Sequence, residues 1–411
     1  MRDYHVKIVH IQQNFNRDFG YQENIFPAYQ KKIGEDVVLF TADYDDGFDG
    51  KDRYKGTDIF VENGFTVERI PTYYAWQGKH VHFKNLTKYI EREKPDYIFH
   101  HGPASPSLVT VANYKKRHPE VFLAVDSHFD LNITGQIKWW KFLYYNLLWK
   151  MIIKFCDKQI DIYFGVTPAR CLFLNEELGV SKEKIRLLPI GADTDAISEI
   201  NNDRYTFSAK YNLIPDAIYF VHGGKMTRKK KVLDLINAFK HISSEVNVQL
   251  LLFGSFEDKV LQEECLSDER IKYLGWQDRK STLEILKNCD LGIWNTQHTT
   301  LLEDAIGCEL PMVLKYYGST SHLIDGNGMF IYEAGVNEIL EKMNLFTSDY
   351  DLRNSLVRSA KRMAKELSYY EIAKESIAYT SDPLLPQALD EKFMSSKFSD
   401  FNYKGFRKFQ N

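Results

Sequence analysis

The sequence lacks several features that would place it in a narrow class of proteins. No uninterrupted apolar stretch reaches the roughly 20 residues that a membrane-spanning helix needs. The first residues, MRDYHVKIVHIQQ, enter an alternating apolar run at once, so no secretory signal is expected. The five cysteines are scattered without a CxxC pair, which favours reduced thiols, as in the cytosol, over a disulfide framework or a zinc site.

The chain also has little net charge. Its 53 Lys and Arg residues nearly balance 56 Asp and Glu residues, for a formal net charge of -3. This balance provides no general reason to expect a nucleic acid as partner. At 411 residues, with an ordinary apolar fraction of 44%, the chain is expected to form two globular domains.

Aromatic residues are abundant, at 14% of the chain, and their densest patch runs from Ile137 to Phe155 and includes Trp139 and Trp140. The lysines of this patch fall on more than one side of a helical wheel, whereas a clean interfacial helix gathers them on one face. Two interpretations stay open. The patch is either a largely buried helix with snorkelling lysines or a surface that contacts a membrane.

Short β-rich runs alternate with helical stretches along the chain. Several runs are continuously apolar or β-branched, which is typical of strands covered on both faces. This alternation predicts parallel sheets in a doubly wound α/β fold. The runs are Val6–Ile11, Asp36–Ala42, Tyr97–Gly102, Val121–His128, Asp161–Pro168 and Ile185–Ala192, then Ala217–Gly224, Gln249–Ser255, Ile271–Trp276, Leu291–Asn295 and Met312–Tyr317.

A polar segment, Asp195–Asp216, separates the two series and ends with a proline just before a new strand. We therefore expect two Rossmann-like domains, over residues 1–193 and 194–381, that face each other across a cleft. Ligands of such sheets lie at the carboxyl ends of the strands. The polar and aromatic tail, residues 382–411, is expected to pack back on the first domain or to stay mobile.

The segment HGGKMTRKKK, His222–Lys231, follows a predicted strand and leads into a predicted helix. Glycines such as Gly224 let the backbone approach a ligand, and the cations Lys225 and Lys230 suit a diphosphate. The alternative is a solvated basic turn. Because GxGxxG is absent here, a nicotinamide site is disfavoured.

Two further motifs in the second half indicate nucleotide chemistry. In LLFGSFED, the loop at Gly254 and Ser255 would lie against a base or ribose, or else be only a tight turn. In LLEDAIGCELP, Glu303 begins a helix and can accept two hydrogen bonds from the vicinal hydroxyls of a ribose. The alternative is an ordinary glutamate in the first turn of a helix, with Ala305 and Gly307 permitting close packing.

In the first half, DFGYQEN follows the first strand, and Gly20 would let backbone amides approach a phosphate. In VDSHFD, His128 follows a strand at its carboxyl end, where it is placed for catalysis or for binding a sugar hydroxyl. The alternative for this histidine, and for His100 and His101, is a structural role. Asp126 and His128 have no third metal ligand at a sensible spacing.

In this order, the motifs resemble those of retaining glycosyltransferase family 4, the group 1 glycosyl transferases, from Val6 to about Glu366. The resemblance implies the GT-B fold, in which two Rossmann-like domains face each other. LLPIGADTD resembles the linker between the domains, and LIDGNGMFI resembles the Asp-Gly…Asn-Gly turn. Lys225 and Lys230 match the basic phosphate segment, and Glu303 matches the second glutamate of the E-x7-E motif.

The resemblance also implies the roles of individual residues. The catalytic residues would be His128, which contacts the donor sugar, Lys225, Lys230 and Glu303. Residues that would bind the nucleotide sugar are Gly20, Gly224, Gly254, Ser255, Asn295, Thr299, Thr300 and Glu303, with Thr299 and Thr300 presenting backbone amides to the diphosphate.

The chain departs from the family pattern at four positions. Asn295 replaces the first glutamate of E-x7-E, which in the family contacts the transferred sugar. His298 replaces a common glycine, Lys231 replaces the glycine after Lys230, and Tyr21 follows Gly20 where a second glycine is usual.

The resemblance implies a metal-independent enzyme without a resident cofactor that transfers a hexose or N-acetylhexosamine with retention of configuration. A UDP-sugar is the expected donor and a GDP-sugar the alternative. The acceptor would be a saccharide or a lipid-linked saccharide of cell-surface polysaccharide biosynthesis, at the cytoplasmic side of the membrane. Two other interpretations are a sugar-nucleotide 2-epimerase and a catalytically degenerate GT-B subunit that binds a partner.

Overall fold

The computed structural model describes residues 5–17, 20–45, 53–76, 80–128, 148–296 and 298–381. Its strands are β1 (Lys7–Ile11), β2 (Asp36–Ala42), β3 (Tyr44–Asp45), β4 (Arg53–Tyr54), β5 (Ile59–Glu62), β6 (Phe65–Ile70), β7 (Thr72–Trp76), β8 (His80–Phe83), β9 (Tyr97–His101), β10 (Phe122–Ser127), β11 (Ile162–Gly165), β12 (Ile185–Leu187), β13 (Ile218–Met226), β14 (Val248–Phe256), β15 (Ile271–Tyr273), β16 (Leu291–Trp294), β17 (Met312–Lys315) and β18 (Gly328–Ile331).

Helices occupy most of the connections between these strands. They are α1 (Gln22–Lys32), α2 (Leu86–Glu93), α3 (Ser107–Arg117), α4 (Lys150–Cys156), α5 (Pro168–Glu176), α6 (Thr194–Ser198), α7 (Arg204–Tyr211), α8 (Val232–Lys240), α9 (Lys259–Cys265), α10 (Arg279–Asn288), α11 (Leu301–Gly307), α12 (Val336–Ser348), α13 (Tyr350–Glu366) and α14 (Tyr369–Ala378).

The chain forms two compact units. The first comprises Met1–Ile190 together with Tyr369–Asn411, and the second comprises Gly191–Ser368. The first boundary lies close to the predicted junction after residue 193. The second boundary differs from the prediction, because the chain returns to the first unit at Tyr369 and not after residue 381. The predicted tail, residues 382–411, lies outside the described residues.

Specific contacts hold α14 in the first unit. The ring of Tyr369 stacks on Tyr29 with 5.7 Å between the ring centroids. The Gln30 amide donates a hydrogen bond of 3.1 Å to the Ser376 hydroxyl, and the Tyr97 hydroxyl donates one to the Ser376 carbonyl. These partners are far away in the sequence, so periodicity alone did not reveal where α14 packs.

The first unit is built on an eight-stranded sheet with the strand order β12-β11-β10-β9-β1-β2-β6-β5. Its strands pair in parallel, except that the edge strand β5 runs antiparallel to β6. Strand order reverses beside β1, between β1 and β9, and such a point is where doubly wound sheets bind ligands. Strands β5 and β6 and the hairpin of β7 and β8 were not predicted.

The second unit is built on a six-stranded, all-parallel sheet with the order β15-β14-β13-β16-β17-β18. Its point of reversal lies between β13 and β16. Alternate residues of β13 enter two different apolar clusters, Tyr219 and Val221 in one and Phe220 in the other. Both faces of this sheet are therefore covered, as the continuous apolar runs predicted.

Two other predicted features have mixed outcomes. The polar segment Asp195–Asp216, predicted only as a break between the two series of strands, contains α6 and α7, and Asp203 caps α7 through the amide of Tyr205. In the aromatic patch, residues 137–147 lie outside the described residues. In α4, Ile153 is buried, whereas Met151 and Phe155 are exposed. No helix within the described residues combines the length and apolar character that a membrane span requires.

Candidate functional site

Two glycines bring strands β13 and β14 together at their carboxyl ends. Gly224 pairs with Gly254, with φ angles of +117° and +112°. A Cβ atom on Gly254 would lie only 2.1 Å from the Gly224 carbonyl oxygen, so the close approach requires glycine there. Both strands continue beyond the glycines, so Gly254 lies within a strand and not in the predicted loop.

Two lysines extend from this edge of the second sheet. Lys225 is exposed and pairs in register with Ser255, and Lys230 lies in the turn before α8. Although Lys230 is exposed, enough protein surrounds its ammonium group that partial burial lowers its pKa, and the positive charge of Lys225 lowers it further. The two cations therefore lie near each other, as predicted for a diphosphate site.

Two side-chain hydrogen bonds join strands β13 and β16 at the point where strand order reverses. The His222 ring donates a hydrogen bond of 2.7 Å from Nδ1 to the Ile293 carbonyl, and the Trp294 indole donates one of 3.2 Å to the Gly223 carbonyl. Burial lowers the pKa of His222 to about 4, and the charge of Lys230 also lowers it. The ring is therefore neutral at physiological pH and acts as a structural tie.

Glu303 lies in the first turn of α11, as predicted, and its side chain is only 5% exposed. His298 donates a hydrogen bond of 2.6 Å from Nε2 to the Oε1 atom of Glu303. The other oxygen, Oε2, is buried and has no hydrogen-bond partner among the described residues. Because an unpaired buried carboxylate oxygen is costly, this atom is an acceptor available to a ligand.

Helix α11 has neighbours at both of its ends, and its packing is tight at Gly307. A Cβ atom on Gly224 would lie 3.7 Å from the Leu301 side chain, so the first turn of α11 is beside the paired glycines. At the other end, a Cβ atom on Gly307 would lie 2.7 Å from that of Ala192. The predicted close packing of this small-residue helix is confirmed, and it holds Glu303 at the carboxyl edge of the sheet.

An ion pair between the exposed Arg279 and the buried Asp304 lies next to Glu303. The guanidinium group of Arg279 donates to the carboxylate of Asp304. Burial raises the pKa of Asp304 to about 6, against the opposing charge of Arg279, and the charge of Glu303 raises it further. The ion pair of Asp304 with Arg279 therefore connects α11 to α10 next to the candidate site.

Asn295 makes a contact that a glutamate could not make. Its Nδ2 atom donates a hydrogen bond of 2.9 Å to the carbonyl of Lys231, the residue that precedes α8 with a φ of +52°. An ionised carboxylate only accepts hydrogen bonds, so this link requires the amide. The Oδ1 atom of Asn295 is buried and has no hydrogen-bond partner in the described parts of the chain.

Thr299 and Thr300 directly precede α11, and Thr300 occupies the N-cap position. The amide of Leu302 donates to the carbonyl of Thr299, which starts the helix. The structure thus gathers Gly224, Lys225, Lys230, Gly254, Ser255, Asn295, Thr299, Thr300 and Glu303 at the carboxyl edge of the second sheet.

Gly20 and His128 lie in the first unit. Gly20 is in the connection between β1 and α1, and His128 follows β10, so both lie at the carboxyl ends of strands. The His128 side chain is 41% exposed, and its Nε2 atom lies 3.3 Å from the Oδ2 atom of Asp126. Asp126 also accepts a hydrogen bond from His101 and one from the amide of Gly102.

Four residues close in the chain to the predicted ones were not among the predicted site residues. They are the His298 partner of Glu303, the buried Asp304, His101, and Glu23 in the first turn of α1. Burial raises the pKa of Glu23, and the charges of His101 and His128 act on it in the opposite direction. The only sequence signal was position, since His101 ends a strand and the other three residues lie in segments that follow the carboxyl end of a strand. Among the described residues, no group of three or more His, Cys, Asp or Glu side chains is placed to hold a metal ion.

Comparison with known proteins finds a family model that matches most of the second unit. Residues 203–363 match the model of the glycosyl transferases group 1. An uncharacterized glycosyltransferase of Methanocaldococcus jannaschii is 24% identical over 240 residues, which are 56% of this chain and 57% of the relative. The N-acetyl-alpha-D-glucosaminyl L-malate synthase of Bacillus anthracis is 22% identical over 235 residues, 55% of this chain and 59% of the relative. The chain thus spans less than two thirds of these relatives.

The fold resembles that of solved glycosyltransferases over a greater length. HepE of Anabaena, crystallised with UDP, superimposes with a TM-score of 0.65 and 13% identity, over 91% of this chain and 99% of that one. The sucrose-phosphate synthase of Thermosynechococcus elongatus superimposes with a TM-score of 0.61 and 15% identity, over 91% and 98%. The predicted α/β fold of GT-B type and the resemblance to group 1 glycosyl transferases are confirmed.

Proposed function

We propose that this protein, whose residues 203–363 match the glycosyl transferases group 1, transfers a sugar from a nucleotide-diphosphate sugar to a saccharide or a lipid-linked acceptor. The observation that carries the proposal is the buried Oε2 atom of Glu303, which has no partner among the described residues. It lies on a helix packed beside the paired glycines Gly224 and Gly254. A ribose hydroxyl would supply the missing donor.

The lysines suit the charge of the donor. Burial and the positive charge of Lys225 lower the pKa of Lys230 when no anion is bound. A diphosphate with about two negative charges relieves this repulsion, and the relief is largest when the leaving group gains charge in the transition state. The backbone amides of Thr299 and Thr300 at the start of α11 are proposed to add hydrogen bonds to the same group. This set of donors would perform the transfer without a metal ion.

The proposed donor is a UDP-sugar that carries a hexose or N-acetylhexosamine, with a GDP-sugar as the alternative. The HepE structures support UDP, since that protein was solved with UDP and with UDP-glucose. The name of the Bacillus anthracis relative includes an N-acetylglucosaminyl group, which supports an N-acetylhexosamine. Retention of configuration follows from the family resemblance, with His128 contacting the sugar.

The proposed acceptor is a saccharide on a lipid carrier, in cell-surface polysaccharide biosynthesis. Helix α4 supports a contact with an anionic membrane surface. Leu148, just before the helix, Met151 and Phe155 are exposed at spacings that place them on one face, and Lys150 and Lys154 are exposed beside them. Co-sedimentation with vesicles of anionic and neutral lipids tests this contact. Replacing Met151 and Phe155 together by Ser is expected to reduce binding to the anionic vesicles.

Two experiments test the enzyme proposal. Thermal unfolding is first measured with UDP, GDP, ADP and their sugars, because a tight ligand raises the melting temperature by mass action. The stabilising donor is then incubated with candidate acceptors, and the anomeric configuration of the product is read by NMR. Inversion of configuration would refute the retaining mechanism, and the absence of stabilisation by any nucleotide would refute the site.

One observation favours a second candidate, a nucleotide-binding subunit without turnover. Asn295 uses its amide to bind the Lys231 carbonyl where the family has a sugar-binding glutamate. Binding of a nucleotide diphosphate without donor consumption, over a broad panel of sugars and acceptors, would support this candidate. Conversion of the donor sugar to its 2-epimer in the absence of an acceptor would instead support an epimerase.

A further inference from the structure

A continuous row of buried polar groups runs through the first unit to the partly exposed His128. The Oε1 atom of Gln30 lies 2.6 Å from Nε2 of His10, and Nδ1 of His10 lies 3.0 Å from Nε2 of His101. Nδ1 of His101 lies 2.9 Å from the Oδ2 atom of Asp126, which is also 3.3 Å from Nε2 of His128.

This row crosses the point where strand order reverses. His10 is on β1, His101 ends the neighbouring strand β9, and Asp126 is on β10. His10 and Asp126 are fully buried, and His101 is 5% exposed. The hydrogen-bond partners within the protein, and not water, therefore determine which atom in the row carries each proton.

The first proton position follows from Ser376. Its hydroxyl has one proton, which it donates to the Ala373 carbonyl over 2.7 Å, so its oxygen accepts from the Gln30 amide. The carbonyl oxygen of Gln30 therefore faces His10, whose Nε2 atom must be the donor. Burial lowers the pKa of His10 to about 3, so this ring is neutral and its Nδ1 atom is an acceptor.

The remaining positions follow in turn. His101 must donate from Nε2 to His10, since His10 has no proton on Nδ1. Burial opposes the ionisation of Asp126, but the charges and hydrogen bonds of His101 and His128 hold its pKa well below its usual range. Asp126 is therefore an anion, and His101 donates to it from Nδ1. His101 thus needs a proton on both ring nitrogens.

We propose that His101 is a buried imidazolium whose ion pair with Asp126 makes Asp126 a fixed anionic acceptor for His128, so that His10, His101 and Asp126 are positioning residues for His128. Donation from Nε2 to Asp126 leaves Nδ1 of His128 as the atom that meets a ligand. The role of His128 in contacting a donor sugar rests on the proposed function, whereas the assignment of protons does not.

Two other titratable groups, Glu23 and His100, lie around the row. Glu23 is in the first turn of α1, and burial raises its pKa. His100, on the same strand as His101, donates to or accepts from the Ser107 hydroxyl and not from the row. Burial lowers the pKa of His100 to about 4, and the charge of His101 lowers it further.

Long-range proton–nitrogen NMR correlations of the full chain, labelled at histidine, test the proton assignment at neutral pH. Signals are assigned with the variants His10→Gln and His101→Gln. We expect His101 to show two protonated ring nitrogens and His10 to be protonated only at Nε2. A neutral His101 beside a His10 protonated at Nδ1 would overturn the proposal, because that pattern arises if the Gln30 amide is turned around.

The variant Ser376→Ala provides a second test of the same logic. It removes the acceptor that orients the Gln30 amide, so we expect signals of both neutral tautomers of His10. An unchanged His10 pattern would overturn the assignment of protons from Ser376.

Donor turnover tests the positioning role, with His100→Gln as the matched buried control for His101→Gln. Loss of the ion pair is expected to lower kcat about tenfold through misplacement of His128, with the donor KM unchanged. The control is expected to stay within about twofold, since His100 does not contact Asp126. Equal losses in both variants would overturn the positioning role. If the wild type consumes no donor, the proposed function fails while the NMR experiment still decides the proton assignment.

Discussion

His298 and Glu303 form a buried pair in which only one of the two carboxylate oxygens is used. Nε2 of His298 lies 2.6 Å from Oε1 of Glu303, whereas Oε2 is buried and unpaired within the described part of the structure. The pair therefore holds the carboxylate in place while leaving one acceptor for a nucleotide.

Removing His298 is expected to lower the stability of the free protein but to increase the stabilisation that UDP provides. His298→Ala leaves a buried carboxylate without its hydrogen bond, which should lower the free energy of unfolding of the free protein by about 1–3 kcal/mol. A bound ribose then replaces the lost donor, so UDP should raise the melting temperature more in the variant than in the wild type. An equal or smaller shift in the variant would mean that His298 itself contributes to nucleotide binding.

The charge of Glu303 is expected to dominate nucleotide affinity. Glu303→Gln keeps the size of the side chain but weakens its acceptors, and should raise the Kd for UDP at least about tenfold, the value of one lost charge-assisted hydrogen bond. Isothermal titration calorimetry measures this change. Glu309→Gln, at an exposed position after the same helix, is the control and should leave the Kd unchanged. Similar affinities for Glu303→Gln and the control would remove Glu303 from the site.

Lys230 is expected to contribute mainly to turnover. Lys230→Ala removes a cation that would meet the leaving diphosphate, and should lower the rate of transfer at least about tenfold, equivalent to roughly 1.5–3 kcal/mol. Lys229→Ala, at an exposed neighbouring position, is the matched control for loss of a surface charge. Near-normal transfer by the Lys230 variant would contradict its assigned role.

Replacing one of the paired glycines, Gly254, is expected to lower the free energy of unfolding through a steric clash. Gly254→Ala adds a methyl group 2.1 Å from the Gly224 carbonyl oxygen, so strand β14 must shift. Gly64→Ala is the control, because Gly64 also has a positive φ of +88° but open space around it. Urea unfolding should show a loss for Gly254→Ala that exceeds the loss for the control by about 1–3 kcal/mol. Equal losses would mean that backbone strain alone accounts for both.

Asp304 is expected to make stability depend on pH in a defined window. Burial raises its pKa from the usual 3.8 to about 6, so the folded protein retains a proton that the unfolded chain releases. The contribution of Asp304 is therefore fully present below about pH 4 and is lost as the pH rises through about 6. Relative to Asp304→Asn, the free energy of unfolding of the wild type should fall by about 2–3 kcal/mol over this window.

Urea unfolding of both proteins at several pH values measures this difference. A constant difference across the window would show that the Arg279 guanidinium keeps Asp304 ionised throughout. In that case the two side chains act as a permanent ion pair beneath the site.

Much of the candidate site could be predicted, because its residues follow strands in a doubly wound pattern. The end of β13 at Gly224 and Lys225, and Glu303 in the first turn of α11, were identified from local sequence alone. The partners of these residues were not. The contact of His298 with Glu303 depends on the conformation of a loop, and the contact of Asn295 with Lys231 joins residues that are distant in the sequence. The periodicity of the sequence therefore predicts neither contact.

The sequence by itself determined most of the segments that form strands and helices, and the presence of two successive series of parallel strands, because apolar periodicity and turn residues act over short distances. Only the tertiary structure decided that α14 returns to the first unit, that Asn295 binds a backbone carbonyl, and that His10, His101 and Asp126 share one row of hydrogen bonds. These outcomes depend on which buried polar atoms meet across distant strands. Packing decides these contacts, since each buried donor and acceptor needs a hydrogen-bond partner once water is excluded.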